Sequence, residues 1–160
     1  MLLLGTFSTL RLSYSSGTAV LLAPSRIDVL PGQAFTVNVT VANVSDLFNW
    51  QVAVEYDAKI INCTAAWVPE SNVFAGQSQI PVPPILNDPT NDGHNYTLFG
   101  NTLISGSVMV DQGSLCMLNF TTLAYGQTTI RMGTTANPIV LFKTNPYSLV
   151  NYTQKTYLLD

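Results

Sequence analysis

Hydrophobic residues recur at every second position of this chain, and that period decides what it can fold into. Phe35, Val37, Val39 and Val41 alternate with Thr36, Asn38 and Thr40. Successive side chains of an extended strand point to opposite faces, so such a run buries one face and wets the other. An amphipathic helix would need spacing near 3.6, and no segment shows a helical stripe. The pattern predicts strands at Thr6–Tyr14, Ala19–Leu22, Arg26–Leu30, Ala34–Val41, Trp50–Tyr56, Ile60–Ala66, Tyr96–Ile104, Ser114–Leu123, Thr128–Met132, Ile139–Phe142 and Ser148–Leu159. Val, Ile, Thr, Tyr and Phe dominate these runs, as strands prefer. Turn residues separate them: Pro31-Gly32, Gly76, Asn91-Asp92-Gly93, Gly106, Gly113, Gly126, Asn137-Pro138 and Asn145-Pro146. Ile80–Ile85 reads IPVPPI, and proline lacks the donor that a central strand needs, so this stretch is expected in a loop or at a sheet edge. Many short strands at this spacing imply an all-β sandwich or barrel.

The chain has 160 residues, the size of one domain, and a core of that size folds without metal or cofactor. Only 9% of residues are charged, with six Lys and Arg and a net charge of −3. Nucleic acid and anionic membrane surfaces need clustered cations, so neither is an expected partner. No apolar run approaches the roughly 20 residues that span a bilayer as a helix. Met1–Leu4 is apolar but is not a complete signal peptide, so either an export signal has been removed or the numbering starts at an arbitrary Met.

Six Asn-X-Ser/Thr sequons stand at Asn38, Asn43, Asn62, Asn95, Asn119 and Asn151, none with proline in the middle. A glycan must point into solvent. Asn38, Asn62 and Asn119 each alternate with apolar neighbours, which turns them outward if the strands form. The sequons point to an extracellular or cell-surface location.

The run PGQAFTVNVTVANVSDLFNWQVAVEYD at Pro31–Asp57 resembles the opening of cohesin-type modules: a Pro-Gly turn, an alternating strand, an Asn-Val bend and a strand ending in Tyr-Asp. Gly113–Phe120 looks like the family's later strand, and Gly126-Gln-Thr-Thr-Ile130 like its closing one. Sequon-rich versions of this kind are similar to cohesin-like domains of archaeal surface proteins. The resemblance covers roughly Ala19 to Met132. It implies a jelly-roll β-sandwich of about nine strands with no catalytic site. It also implies a partner, a dockerin in cellulosomes, bound on one flat sheet face formed here by residues on Trp50–Tyr56 and neighbouring strands. Two segments depart from the pattern: residues 1–17, which precede the family's first strand, and Ile80–Asn95, a long insertion. The chain therefore divides into an N-terminal extension, residues 1–17, and a cohesin-like domain, residues 18–160.

The extension carries Phe7, and Leu10, Leu12 and Tyr14 fall on one side of a strand with Thr9, Arg11 and Ser13 on the other. One reading makes it the remnant of an export signal or an extra strand folded onto its own domain. The other makes it a donor strand that pairs with the open edge of a neighbouring copy. Head-to-tail pairing of that kind builds a filament of identical subunits.

Cys63 and Cys116 occupy inward positions, and outside the cell two cysteines in one domain usually pair. A disulfide between them would close a loop of about 50 residues and stabilise by roughly 4 kcal/mol; two buried thiols are the alternative. Asp88, Thr90 and Asp92, followed by Gly93, resemble the start of a calcium loop, but Phe99 falls where the bidentate Glu belongs. His94, the one histidine, lies in the same polar loop, and zinc would need three or four ligands. Glu55, Asp57 and Glu70 are the carboxylates available for sugar hydrolysis, and Glu55 and Asp57 sit at a strand end where surface acids are ordinary. Trp50, Trp67, Phe48, Tyr56 and Phe74 could form a sugar platform or fill the core. The expected function is non-enzymatic: a subunit of a surface filament joined by its N-terminal strand. The alternative is a receptor for a dockerin-like protein or a carbohydrate.

Overall fold

A computed structural model describes residues 17–133, 140–143, 153–154 and 157–159. Among them there is no helix. The strands are β1 (Ala19–Ala23), β2 (Ala34–Asp57), β3 (Ile61–Trp67), β4 (Gln79–Pro89), β5 (His94–Leu103), β6 (Val108–Thr122), β7 (Thr128–Met132), β8 (Val140–Lys143), β9 (Thr153–Gln154) and β10 (Tyr157–Leu159).

The architecture follows from β2. The runs at Ala34–Val41 and Trp50–Tyr56 are one strand of 24 residues, not two. Its first limb pairs with β1 through Ala23↔Asn38 and with β6 through Ala34↔Thr121. Its second limb pairs with β5 from Asn49↔Thr102 to Asp57↔His94, and on its other side with β8 and then β7. Between the limbs, Asn43 and Asp46 take φ of 55° and 65°. Asn and Asp tolerate this left-handed conformation better than other non-glycine residues. The two turns carry one strand from one layer into the other.

Two layers result. The first sheet has the order β9-β1-β2-β6-β3, with β9 parallel to β1. The second has the order β4-β5-β2, with β7 and β8 in tandem beyond β2 and β10 on β7. Phe35, Val37, Val39 and Val41 of the first limb face Trp50, Val52, Val54 and Tyr56 of the second, all in one buried cluster. Phe120 stacks on Phe35 at 5.5 Å and meets Tyr56 edge-on at 5.0 Å.

The structure moves several expected elements. Arg26–Leu30 forms no strand: the ladder of β1 stops at Ala23, because Pro24 has no N–H to continue it, while Ile27 and Val29 still pack on the core. The IPVPPI stretch is strand, and it is the edge strand β4, bonded to β5 alone. The strand predicted from Ser114 starts at Val108. The C-terminal run Ser148–Leu159 holds two short strands, β9 and β10. The extension with Phe7, Leu10, Leu12 and Tyr14 lies outside the described residues.

Phe120→Ala should cost about 3–5 kcal/mol, since it removes a fully buried ring contacting both layers; urea unfolding against the parent chain measures the loss.

Candidate binding faces

Each sheet buries one side and offers the other to solvent, so the sandwich has two outer faces. On the first sheet the outward positions are mostly polar, with half-buried Met117 and exposed Trp67 paired at one end. Thr36 and Asn38 of β2, Asn119 and Thr121 of β6, and Asn62 and Thr64 of β3 are exposed or half-buried. They bond to one another: Thr36 Oγ1 donates to Asn119 Oδ1 (3.3 Å), Asn119 Nδ2 donates to Thr64 Oγ1 (3.0 Å), and Ser114 Oγ donates to Asn38 Oδ1 (2.6 Å).

The second sheet's outer face differs. Trp50, Val52, Val54 and Tyr56 point into the core, so Gln51, Ala53 and Glu55 lie on the other side of β2, Gln51 and Glu55 half-buried and Ala53 covered. Of the residues on Trp50–Tyr56 and neighbouring strands expected to form a flat face, these alternate residues and their neighbours are the ones on the outer side. On β5 the outward positions are Tyr96, Leu98, Gly100 and Thr102, and on β4 their partners are Asp88, Ile85, Val82 and Ile80. Ile80, Val82 and Ile85 are 54%, 53% and 49% exposed, a fraction high enough to make this an apolar strip in water. A shallow depression lies over Gly100, walled by Gln51, Val82, Pro83, Ile85 and Leu98. Gly100 keeps it open, since even a Cβ there would sit 3.1 Å from the Trp50 carbonyl oxygen. At the far end Glu55 faces Arg131 at 3.8 Å.

Between the faces, one edge of the sandwich is tied by a side chain. Asn87 of β4, at φ 55°, accepts from the Cys63 amide (3.0 Å) and donates to the Cys63 carbonyl (2.8 Å), completing the free edge of β3 as a neighbouring strand would. Its Oδ1 also accepts the Tyr56 hydroxyl (2.8 Å), which meets Thr97 at 2.9 Å. Burial pushes the Tyr56 hydroxyl up to about 12.

The remaining candidates distribute as follows. Cys63 and Cys116 are free and buried, not bonded. Cys63 is in register with Phe120, and Cys116 lies four residues further along β6. That offset is ~13 Å at ~3.3 Å per residue, beyond the ~7 Å between Cα atoms that a disulfide tolerates. Burial raises both thiols above the ordinary range. The aromatic platform is also corrected: Trp50, Tyr56 and Phe74 are in the core, and of the five only Trp67 is substantially exposed. In the β4–β5 turn, Thr90 donates to Asp92, and Asp88 accepts from the Tyr96 hydroxyl. Bonds from Thr90 and His94 hold the Asp92 carboxyl down at about 2. Asn38, Asn62, Asn95 and Asn119 are half-buried and Asn43 is exposed, while Asn151 lies outside the described residues. Composition had not singled out Val82, Ile85, Leu98 or Asn87. Apolar residues spaced by two around the prolines were the available signal for the strip; Asn87 had none.

No protein-family model matches the chain, and no curated protein sequence does. Solved structures do. A non-cellulosomal cohesin from the hyperthermophilic archaeon Archaeoglobus fulgidus superposes with a TM-score of 0.64 at 10% identity, over 89% of each chain. The chain has the cohesin fold. The sixth cohesin of scaffoldin B from Acetivibrio cellulolyticus, solved in complex with a dockerin, gives 0.62 at 16% identity over 90% of this chain and 98% of that one. A type II cohesin domain from the cellulosome of the same organism gives 0.63 at 14% identity over 89% and 94%. The expectation drawn from Pro31–Asp57 is met at the level of fold: those residues are the two limbs of β2 and the bend between them, the part of the cohesin fold that joins its sheets. No helix among the described residues is long and apolar enough to cross a membrane.

Two expectations follow. Asn87→Gly, which suits the backbone but removes the amide, should cost about 1–3 kcal/mol by leaving the Cys63 amide and carbonyl unpartnered and the Tyr56 hydroxyl with Thr97 alone; chemical denaturation measures it. Tyr56 is neutral in the fold well past its ordinary value of 10.0. The unfolded chain therefore releases this proton first, and stability present below pH 10 is lost as pH rises through 12. Tyr56→Phe should show a shallower alkaline decline in unfolding midpoint than the parent.

Proposed function

We propose that this chain is a non-enzymatic, extracellular protein-interaction module that docks its partner on the outer face of the second sheet, centred on Val82, Ile85 and Leu98. The exposed apolar strip carries the reading. It faces water on an otherwise ordered sheet, whereas the opposite face is mainly Asn and Thr, with Trp67 and Met117 at one end. Patches of this kind on a rigid scaffold are where protein partners bind. Likeness to cohesins, one of them solved with a dockerin, supports the same class of function by analogy of fold. The chemistry of the side chains agrees. Asp57 caps the Lys59 amide, Glu55 pairs with Arg131, and both thiols are buried with raised pKa, which leaves no activated nucleophile among them. The outward Asn of the sequons supports an extracellular location.

The partner is a separate protein or a neighbouring copy that supplies residues 1–17. The apolar alternation of Leu10, Leu12 and Tyr14 favours the copy. Pro81 and Pro83 constrain how it binds, since the free edge of β4 lacks their donors and strand addition there is blocked. Contact through the face remains.

Light scattering and negative-stain microscopy on the intact chain, a chain lacking residues 1–17 and Val82→Asp test both readings. Self-assembly predicts fibres from the intact chain and monomers from the other two. A separate partner predicts monomers throughout, with binding of a dockerin-type protein weakened by Val82→Asp at least tenfold, as for loss of a central contact worth about 2 kcal/mol. Val82→Asp binding or assembling as the parent does would place the docking surface elsewhere.

A further inference from the structure

Three of the sequons fall on three adjacent strands of one sheet, and the ladder fixes their spacing. Asn119 on β6 is opposite Thr36, so Asn38 is its diagonal neighbour on β2. Asn62 on β3 is opposite Thr121, so it is the diagonal neighbour on the other side. Such neighbours are about 7–8 Å apart. In each sequon the middle residue points inward: Val39, Cys63 and Phe120 are all fully buried. Because side chains alternate, the Asn and the hydroxyl residue of each sequon share the outer face. A transferase that reads the amide and the hydroxyl together finds both on that surface.

The amide nitrogens differ in availability. Asn119 Nδ2 is held by Thr64, and its Oδ1 by Thr36, which fixes the middle residue in the network. Half-buried Asn38 accepts from Ser114 through Oδ1, a bond that does not use its amide nitrogen. Asn43 is exposed at the bend of β2, with Ser45 also exposed; its Nδ2 reaches the Gly17 carbonyl oxygen at 3.5 Å, a longer contact than the 3.0 Å bond that holds Asn119. Asn95 is the contrast: the hydroxyl of its sequon, Thr97, is buried and bonded to Tyr56.

We infer that the outer face of the first sheet is a glycan-bearing face, with N-linked oligosaccharide on Asn38, Asn43 and Asn62, Asn119 left as the hydrogen-bonded spacer between two of them and Asn95 unmodified. Each linkage joins the Asn amide nitrogen to the sugar's anomeric carbon, supplied by a lipid-linked or nucleotide-linked oligosaccharide donor whose phosphate departs as the leaving group while the amide loses one proton. The assignment stands independently of the docking strip, but it has a consequence for it. Sugar on the first sheet closes that face to protein contact and leaves the second sheet as the open one.

Peptide mapping by mass spectrometry, on the chain isolated from the cells that make it, reads occupancy site by site. The expected result is oligosaccharide mass on peptides containing Asn38, Asn43 and Asn62, and bare peptides for Asn95 and Asn119. Thr64→Ala, an exposed change that keeps Asn62 itself, should remove the sugar at Asn62 while leaving it at Asn38 and Asn43, and it releases the Asn119 amide nitrogen, so sugar gained at Asn119 would show that the hydrogen bond had shielded it. Bare peptides at Asn38, Asn43 and Asn62 would overturn the assignment. So would occupancy at Asn95 equal to theirs, because accessibility in the folded sheet would then not select the sites.

Discussion

Everything in this sandwich hangs on the continuity of β2. A strand that belongs to both sheets fixes their separation, their relative orientation and the register of every strand paired to either limb. The device rests on two residues, Asn43 and Asp46, that accept φ of 55° and 65°. Most side chains in that region clash with their own backbone, so the place where the chain changes layers is written as Asn and Asp. Val44 and Leu47, next to them, are only 1% and 0% exposed, which pins the bend to the core. The bend is thus held from inside by packing and permitted outside by residue type.

A sandwich, unlike a closed barrel, must manage its edges. Two different solutions stand side by side here. On β4, prolines remove donors from the free edge, and the bulges around Ile85 break its regularity. On β3, Asn87 reaches across from β4 and pairs with both polar groups of Cys63, so one amide does what a further strand would do. The Tyr56 hydroxyl joins the same amide, which couples the edge to the core ring stack of Phe120 and Phe35. Cys63 sits inside this arrangement with its backbone fully engaged.

Period two was enough to identify most of the strands from Ala19 to Met132, Arg26–Leu30 and β4 excepted, and to orient Asn38, Asn62 and Asn119 outward, because alternation is a property of the local chain. The Pro31–Asp57 run was enough to suggest the cohesin fold. What stayed illegible depends on register. Cys63 and Cys116 both read as inward, and they are; the ~13 Å between them along adjacent strands is set by which residue of β6 faces Cys63, and nothing local encodes that. Trp50 and Tyr56 read equally as platform or core, since aromatic rings serve both. Asn87 looked like turn material in an Asn- and Asp-rich stretch. Its role comes from tertiary neighbours 24 residues away. The IPVPPI run was read as edge or loop from proline chemistry, and that logic placed it correctly, but the apolar strip it forms needed Leu98 of β5 to be complete.

The two outer faces complete the division of labour that the bend begins. Only 9% of the chain is charged, so repulsion between like charges contributes little to keeping copies apart. An apolar strip on such a surface would invite indiscriminate association if both faces carried one. Here the first sheet turns Thr36, Asn38, Asn62 and Asn119 to water in a hydrogen-bonded layer, and the second concentrates Ile80, Val82, Ile85 and Leu98 in one place. Adjacent limbs of a single strand thus present opposite chemistries on opposite sides. The consequence of one strand serving both sheets is therefore chemical as well as architectural: a hydrogen-bonded Asn and Thr layer lies behind one limb and an exposed aliphatic strip beside the other.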